Sequence, residues 1–268
     1  MKLRDKTIVV TGAGNGIGRE LALQLLKRGG RVAGVDINAE ALAQVRELAG
    51  ELQDRFAAFE VDITDNNAVL ALPGKVIERF GPVDGLINNA GIVQPFVRVN
   101  DLSYDVIERM FRINFFGVVF MTKAFLPHLM QRPEAHIANL SSMGGFVSVP
   151  GQTIYGAAKA AVKLMTEGLG SELMNTRVKV SVVCPGAVAT NILANSGVQG
   201  PTMEMGDDAP IKPLTAAEAA AIIIRGIDTD RHHIFVGKDA FMMDKLYRLS
   251  PIVATRTIAK KMSALLPA

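Results

Sequence analysis

Tyr155 and Lys159 stand four residues apart at the head of YGAAKAAVKLMTEGLGSEL, where apolar residues recur every three or four positions, so both fall on one face of an amphipathic helix. A Lys ammonium beside a phenol favours phenolate. One unit charge at about 4 Å in an effective dielectric of about 20 is worth up to ~4 kcal/mol, a few pKa units off a reference near ~10. Tyr155 would then exchange protons near neutral pH, as a general acid/base must. Upstream, Ser142 ends the strand-like run AHIANLSS just before Gly144-Gly145, so its hydroxyl can face that helix across a short loop. An idle, exposed Tyr-Lys pair would show the same spacing, and the rest of the chain has to decide between the two.

The elements that position these groups begin with KTIVVT, a short buried strand rich in β-branched residues, followed by Gly12-Ala-Gly-Asn-Gly-Ile-Gly18 and the helical pattern RELALQLLKRGG. A strand, a glycine turn and a helix N-terminus make a phosphate site: free N–H groups and the helix dipole point at the anion, and glycines let it approach. The spacing is T-G-x-x-x-G-x-G over Gly12, Gly16 and Gly18, with Ile17 and Arg19 excluding the simpler G-x-G-x-x-G form. The next strand, RVAGVD, ends in Asp36, where a dinucleotide site places a carboxylate for the ribose 2′-hydroxyl. A 2′-phosphate carrying about −1.5 to −2 charges would meet that carboxylate, at a cost of up to ~4 kcal/mol per unit charge before screening. NAD is therefore expected over NADP. The competing role for Asp36 is a cap of the helix AEALAQVRELAGEL.

A third strand, FAAFEVDI, runs to Asp62-Ile63, with Thr64 placed to cap a helix in which Pro73 falls midway. PVDGLINNAG is a fourth strand ending in Asn88-Asn89-Ala90-Gly91. Residues 103–130 read as one long helix with Asn114 in its apolar middle, where a buried amide needs partners. After the Tyr155 helix, the strand VKVSVVCPG breaks at Pro185-Gly186. Residues 193–213 are polar and rich in Gly and Pro, as a lid over a site would be. The helix TAAEAAAIIIRGI and the strand HHIFVG close the series. Strand and helix alternate at short intervals throughout, which predicts right-handed βαβ units and a mostly parallel, doubly wound α/β sheet in a single domain. Residues 238–268 form an amphipathic, basic extension that packs on the core, on a sister subunit or on a membrane surface through Lys245, Arg248, Arg256, Lys260 and Lys261.

Composition is ordinary for a globular domain: 268 residues, 49% hydrophobic and 21% charged. A net charge of +3, with no basic tract, gives no reason to expect a nucleic-acid partner. The single cysteine, Cys184, excludes an internal disulfide and suits a reducing compartment. The N-terminal stretch has too few apolar residues for a signal-peptide core, and no run of about 18 apolar residues suggests a membrane span, so a cytoplasmic protein is expected. His232 and His233 lack Cys or acidic neighbours at metal spacing and are read as non-ligands.

Assembled, these motifs resemble the short-chain dehydrogenase/reductase family, in its branch of about 250 residues, over residues 6–237. The matches are T-G-x-x-x-G-x-G at Gly12 to Gly18, N-N-A-G at Asn88 to Gly91, Ser142 thirteen residues before Tyr155, Y-x-x-x-K at Tyr155 and Lys159, the P-G turn with Thr190, and Asn114. The resemblance implies a Rossmann-type domain over residues 1–237, with the lid at 190–213. It implies hydride transfer between NAD(H) and a secondary alcohol or ketone, with Tyr155 as general acid/base and Lys159 lowering its pKa and holding the nicotinamide ribose. Ser142 would hold the substrate oxygen, and Asn114 a water linking Lys159 to solvent. Cofactor contacts are implied at Gly12, Asn15, Gly16, Ile17, Gly18, Asp36, Asp62, Ile63, Asn89, Ala90, Gly91, Pro185, Gly186, Val188 and Thr190 as well as Tyr155 and Lys159. No metal is expected. Ser142, Gln152 and Tyr155 would touch substrate in a pocket drawn from Val93, Gln94, Met143, Phe146, Gln152, Val188 and Leu193, a mostly apolar set that suits a hydrophobic substrate. A homodimer or homotetramer is implied. An NADPH-dependent carbonyl reductase and a non-catalytic nucleotide-binding protein are the alternatives.

Overall fold

The run TIVVT forms strand β1 (Thr7–Thr11), buried along its whole length because helices cover both faces of the sheet it joins. The computed structural model describes residues 1–198 and 212–262. After β1 the chain alternates through α1 (Gly16–Lys27), β2 (Arg31–Asp36), α2 (Ala39–Leu48), β3 (Phe56–Glu60), α3 (Asn66–Phe80), β4 (Gly85–Asn88), α4 (Tyr104–Phe111), α5 (Gly117–Leu129), β5 (Ala135–Leu140), α6 (Thr153–Glu172) and β6 (Val178–Pro185). A two-residue strand β7 (Val188–Ala189), a short helix α7 (Ile192–Asn195) and a second two-residue strand β8 (Leu214–Thr215) follow, then α8 (Ala216–Asp228), β9 (His233–Val236), α9 (Lys238–Leu249) and α10 (Pro251–Lys261).

Seven strands pair in the order β3-β2-β1-β4-β5-β6-β9, all parallel, and β7 pairs with β8 beside them. The doubly wound α/β sheet expected from the alternation is what forms. The order in which strands are added reverses between β1 and β4, and the crevice beyond the carboxyl ends of those strands is where such sheets bind ligands. One face is filled by Leu21, Leu25 and Leu26 of α1, Leu42 and Val45 of α2, and Ile223 and Ile227 of α8. The other is filled by Val69, Leu72 and Val76 of α3 with Met121, Phe125 and Leu129 of α5.

Some boundaries depart from the sequence reading. Asp65, not Thr64, caps α3 by accepting from Asn67 and Ala68 N–H, because the helix begins at Asn66 and Asp65 is the residue before its first turn. Pro73 does not break α3; it packs into the core as the helix runs through. The long helix at 104–129 is interrupted by a π turn over Arg112–Phe116 that carries Asn114 inward. By length and composition this stretch could also cross a membrane. In the structure, however, its fully buried Met121, Phe125 and Leu129 belong to the domain core. The C-terminal α9 and α10 pack on the domain: Ala254 and Ile258 close over Val147, against Met143, Phe146, Leu246 and Tyr247. Of the expected lid, 199–211 lies outside the described residues.

Candidate active site

Backbone geometry explains the glycines between β1 and α1. Gly12 and Gly16 adopt φ of +65° and +52°, a region that resists any side chain. A Cβ on Gly12 would stand 2.9 Å from the Ala90 Cα, and one on Gly18 would run into the Gly12 carbonyl. Gly18 is thus a packing residue beneath the turn and does not line the cavity above it. No side chain caps α1, so its first amides and its dipole face that cavity. The turn is tied to the NNAG loop by Thr11, whose hydroxyl accepts from the Asn89 and Ala90 N–H at 3.0 Å each, and by the Asn89 amide, which donates to the Thr11 and Gly12 carbonyls.

Asp36 ends β2 at the cavity wall, its two oxygens accepting from Gly14 N–H at 2.9 Å and Asn38 N–H at 3.1 Å. It does not cap α2; Asn38 does, accepting from Ala41 N–H.

On the opposite wall, Ser142 accepts from Gly144 N–H at 3.0 Å, and its hydroxyl favours the ionised form of the neighbouring Tyr155 phenol. The neighbouring Ser141 donates to the Lys159 carbonyl at 2.7 Å, an anchor for α6. Lys159 extends beneath Tyr155 and donates to the Leu140 carbonyl at 3.0 Å, with its Nζ 6.0 Å from the centre of the phenol ring. Burial pushes the Tyr155 phenol above its ordinary value, opposed by the Ser142 hydroxyl, and burial alone pulls Lys159 down to about 8. The expected lowering of Tyr155 by Lys159 is not seen: desolvation of the phenol is the largest influence on it and raises it.

Three successive residues after Gly91 each tie a different element to this wall. Ile92 exchanges two bonds with Asn114, its N–H donating to Oδ1 at 3.1 Å and its carbonyl accepting from Nδ2 at 3.0 Å. Val93 N–H donates to Ser196 at 3.0 Å, just after α7. The fully buried Gln94 accepts from Tyr155 N–H at 2.8 Å and donates to the Gly151 carbonyl at 2.9 Å, while Gln152 Nε2 donates back to the Gln94 carbonyl at 2.8 Å. Gln94 thereby caps an otherwise uncapped α6 from a separate loop. Gln152, expected to touch substrate, is buried in this clasp and does not line the cavity. Asn114 also stays behind the wall, where it fixes Ile92. A Cβ on Gly91 would meet Asn114 Oδ1 at 2.7 Å and Lys159 Nζ at 3.1 Å, so the glycine admits both.

The cavity enclosed by these walls measures about 880 Å³. Gly12, Asn15, Gly16, Ile17, Asp36, Asp62, Ile63, Asn89, Ala90, Gly91, Ser142, Tyr155, Lys159, Pro185, Gly186, Val188 and Thr190 line it. Val93 also lines it, with Ile192 and Asn195 in place of Leu193. Met143 and Phe146 instead pack against the C-terminal helices. Sequence reasoning missed Asp105, Glu108 and Arg109 of α4 and Arg112 at the start of the π turn on the rim, a spacing of three and four residues that marks one helical face. It also missed the buried Asp239, which accepts from Ala187 N–H at 2.7 Å and so holds the turn after Pro185-Gly186. Among the described residues no cluster of His, Cys, Asp or Glu could hold a metal ion. His233 pairs with Glu167 and His232 with the Val180 carbonyl. The uncapped helix end, the glycine cradle and Asp36 fit a dinucleotide, with the diphosphate at α1 and the adenosine ribose at β2.

The family model described as short chain dehydrogenase matches residues 6–199. SadH of Mycobacterium tuberculosis is 35% identical over 268 residues, covering 98% of this chain and 97% of its own length. A short-chain dehydrogenase/reductase from Burkholderia phymatum, solved in complex with NAD, superposes with a TM-score of 0.84 at 26% identity, covering 94% of this chain and 96% of that one. ElxO, solved with NADP bound, superposes with a TM-score of 0.77 at 26% identity, covering 88% and 97%.

Proposed function

The chain belongs to the short-chain dehydrogenase family of oxidoreductases, and from that premise we propose that it moves a hydride between NAD(H) and a hydrophobic secondary alcohol or ketone. The observation that carries this reading is Tyr155, set on the cavity wall beside Ser142 and backed by buried Lys159. When bound, the nicotinamide cofactor supplies or accepts the hydride. The chain's residues supply position and proton traffic. The amides at the start of α1 receive the diphosphate, Asp36 the ribose hydroxyls, and Asp62 and Ile63 the adenine. Ser142 holds the substrate oxygen, and Tyr155 gives it a proton as the carbonyl is reduced or takes one as the alcohol is oxidised. A phenol held above its ordinary value keeps its proton at neutral pH, the state that carbonyl reduction requires. Ile92, Val93, Leu140, Val188 and Ile192 supply an apolar surface for the substrate.

Asp36 supports NAD over NADP. A thermal-shift titration of the wild type and Asp36→Ala with each dinucleotide tests this: ligand at about 100 times its dissociation constant adds about 2.7 kcal/mol of stability. Stabilisation of the wild type by NAD, with NADP gaining on it in Asp36→Ala, is the expected result. Stabilisation by NADP alone overturns the preference, and stabilisation by neither removes the cofactor reading. A homo-oligomer fits the exposed Tyr104, Phe116 and Leu164 on α4, α6 and the π turn, and light scattering reads its mass.

A further inference from the structure

Packing α9 and α10 onto the domain buries only part of their apolar surface. Phe241, Met242 and Leu249 remain 47%, 64% and 85% exposed on α9, and Ile252 and Val253 remain 65% and 49% exposed on α10. Positions 238, 241, 242, 245 and 249 share one helical face. Only Ser250 and Pro251 separate Leu249 from Ile252, so exposed apolar side chains stand on both sides of the turn between the helices. Cations fringe them: Lys238, Lys245, Arg256 and Lys261 are all exposed, and the Lys245 Nζ sits 4.5 Å over the Phe241 ring. The only acids between residues 238 and 262, Asp239 and Asp244, are buried, the first against the Ala187 amide and the second against Arg248. Apolar side chains ringed by cations, with no exposed acid among them, form a surface that a single kind of partner satisfies.

We propose that α9 and α10 dock this domain on an anionic lipid surface, the apolar side chains entering the headgroup boundary and the lysines and arginines meeting lipid phosphates and carboxylates. A second copy of the chain fits poorly. A two-fold contact through this face would bring the cations of one copy against those of the other, with no exposed acid of α9 or α10 to pair them, and like charges repel. An uncharged bilayer would satisfy the apolar side chains and leave the cations without partners. The inference is independent of the reaction proposed above, since none of these residues touches the cavity.

Co-sedimentation of the full chain with phosphatidylserine/phosphatidylcholine vesicles, against phosphatidylcholine alone, tests it. Pelleting with the anionic vesicles only, reversed by about 0.5 M salt as charges are screened, is the expected result. The triple substitution Lys238→Glu, Lys245→Glu and Arg256→Glu should weaken binding on the order of a hundredfold. Leu249→Ser with Ile252→Ser should weaken it with an unchanged melting temperature, because both side chains stand in solvent. Failure to pellet with anionic vesicles overturns the proposal. So does a solution mass that rises with protein concentration and is reduced by Leu249→Ser with Ile252→Ser, which would assign these side chains to self-association.

Discussion

Tyr155 and Lys159 titrate in opposite directions from their ordinary values, and a pH profile separates their roles. Reduction needs the phenol protonated and the ammonium charged. Its rate should stay level below pH about 8 and fall as pH rises through that value, where Lys159 loses its proton, while alcohol oxidation, which needs the phenolate, gains only towards the alkaline end of the range. Initial rates in both directions between pH 6 and 10 check this. Tyr155→Phe should lose about 10² to 10⁴ of the rate with cofactor binding unchanged. Reductive activity that climbs through pH 8 would exclude the assignment. Most of this wall was legible in the sequence, because a hydroxyl, a phenol and an amine announce their chemistry by type and spacing. Gln94 and Gln152 were not, since a glutamine that lines a pocket and one that clasps two loops look alike until the backbone amides around them are placed.

At the scale of elements, the loop 91–94 decides how α6 begins. Gln94→Met keeps the volume and removes the two side-chain bonds, leaving the Tyr155 N–H and the Gly151 carbonyl without partners, at about 1–3 kcal/mol each. Melting temperature should fall, and kcat should fall at least tenfold with the dinucleotide dissociation constant little changed, because the first turn of α6 sets the phenol and lies apart from α1. An unaltered kcat in a destabilised variant would leave Gln94 a structural role only. Element order was readable from periodicity and glycine turns, whereas ends shifted by a residue: α3 begins at Asn66, which makes Asp65 and not Thr64 its cap. The π turn had no signal in the pattern at all, since one extra residue within an apolar helix changes neither composition nor the run of hydrophobic positions.

For the whole molecule, the sheet carries an acid sensitivity beneath the site. His136 on β5 is buried; Ser181 donates its hydroxyl proton to the Arg231 carbonyl, so the His136 Nε2–H is the donor to Ser181 Oγ at 2.8 Å. Burial lowers its pKa from 6.5 to about 4 against the opposing pull of Asp230. The unfolded chain binds that proton first, so the contribution of His136 is complete above pH about 6.5 and is lost as pH falls towards 4, about 3 kcal/mol in all. Denaturant unfolding at pH 7 and pH 4.5 should show a smaller loss for His136→Gln than for the wild type, and equal losses would exclude His136 as the cause. The same scale gives the π turn its importance. It advances α5 relative to α4 by one residue, or about 100° of rotation about a shared axis. With the turn in place, a single rod shows Asp105, Glu108, Arg109 and Arg112 to the cavity and Met121, Phe125 and Leu129 to the core. Deleting any one residue between Arg112 and Phe116 would bring the two halves into ordinary helical phase, and one of those faces would have to turn away. Single substitutions cannot undo such a phase offset gradually, so descendants of this chain can vary the side chains of the rod far more freely than its length.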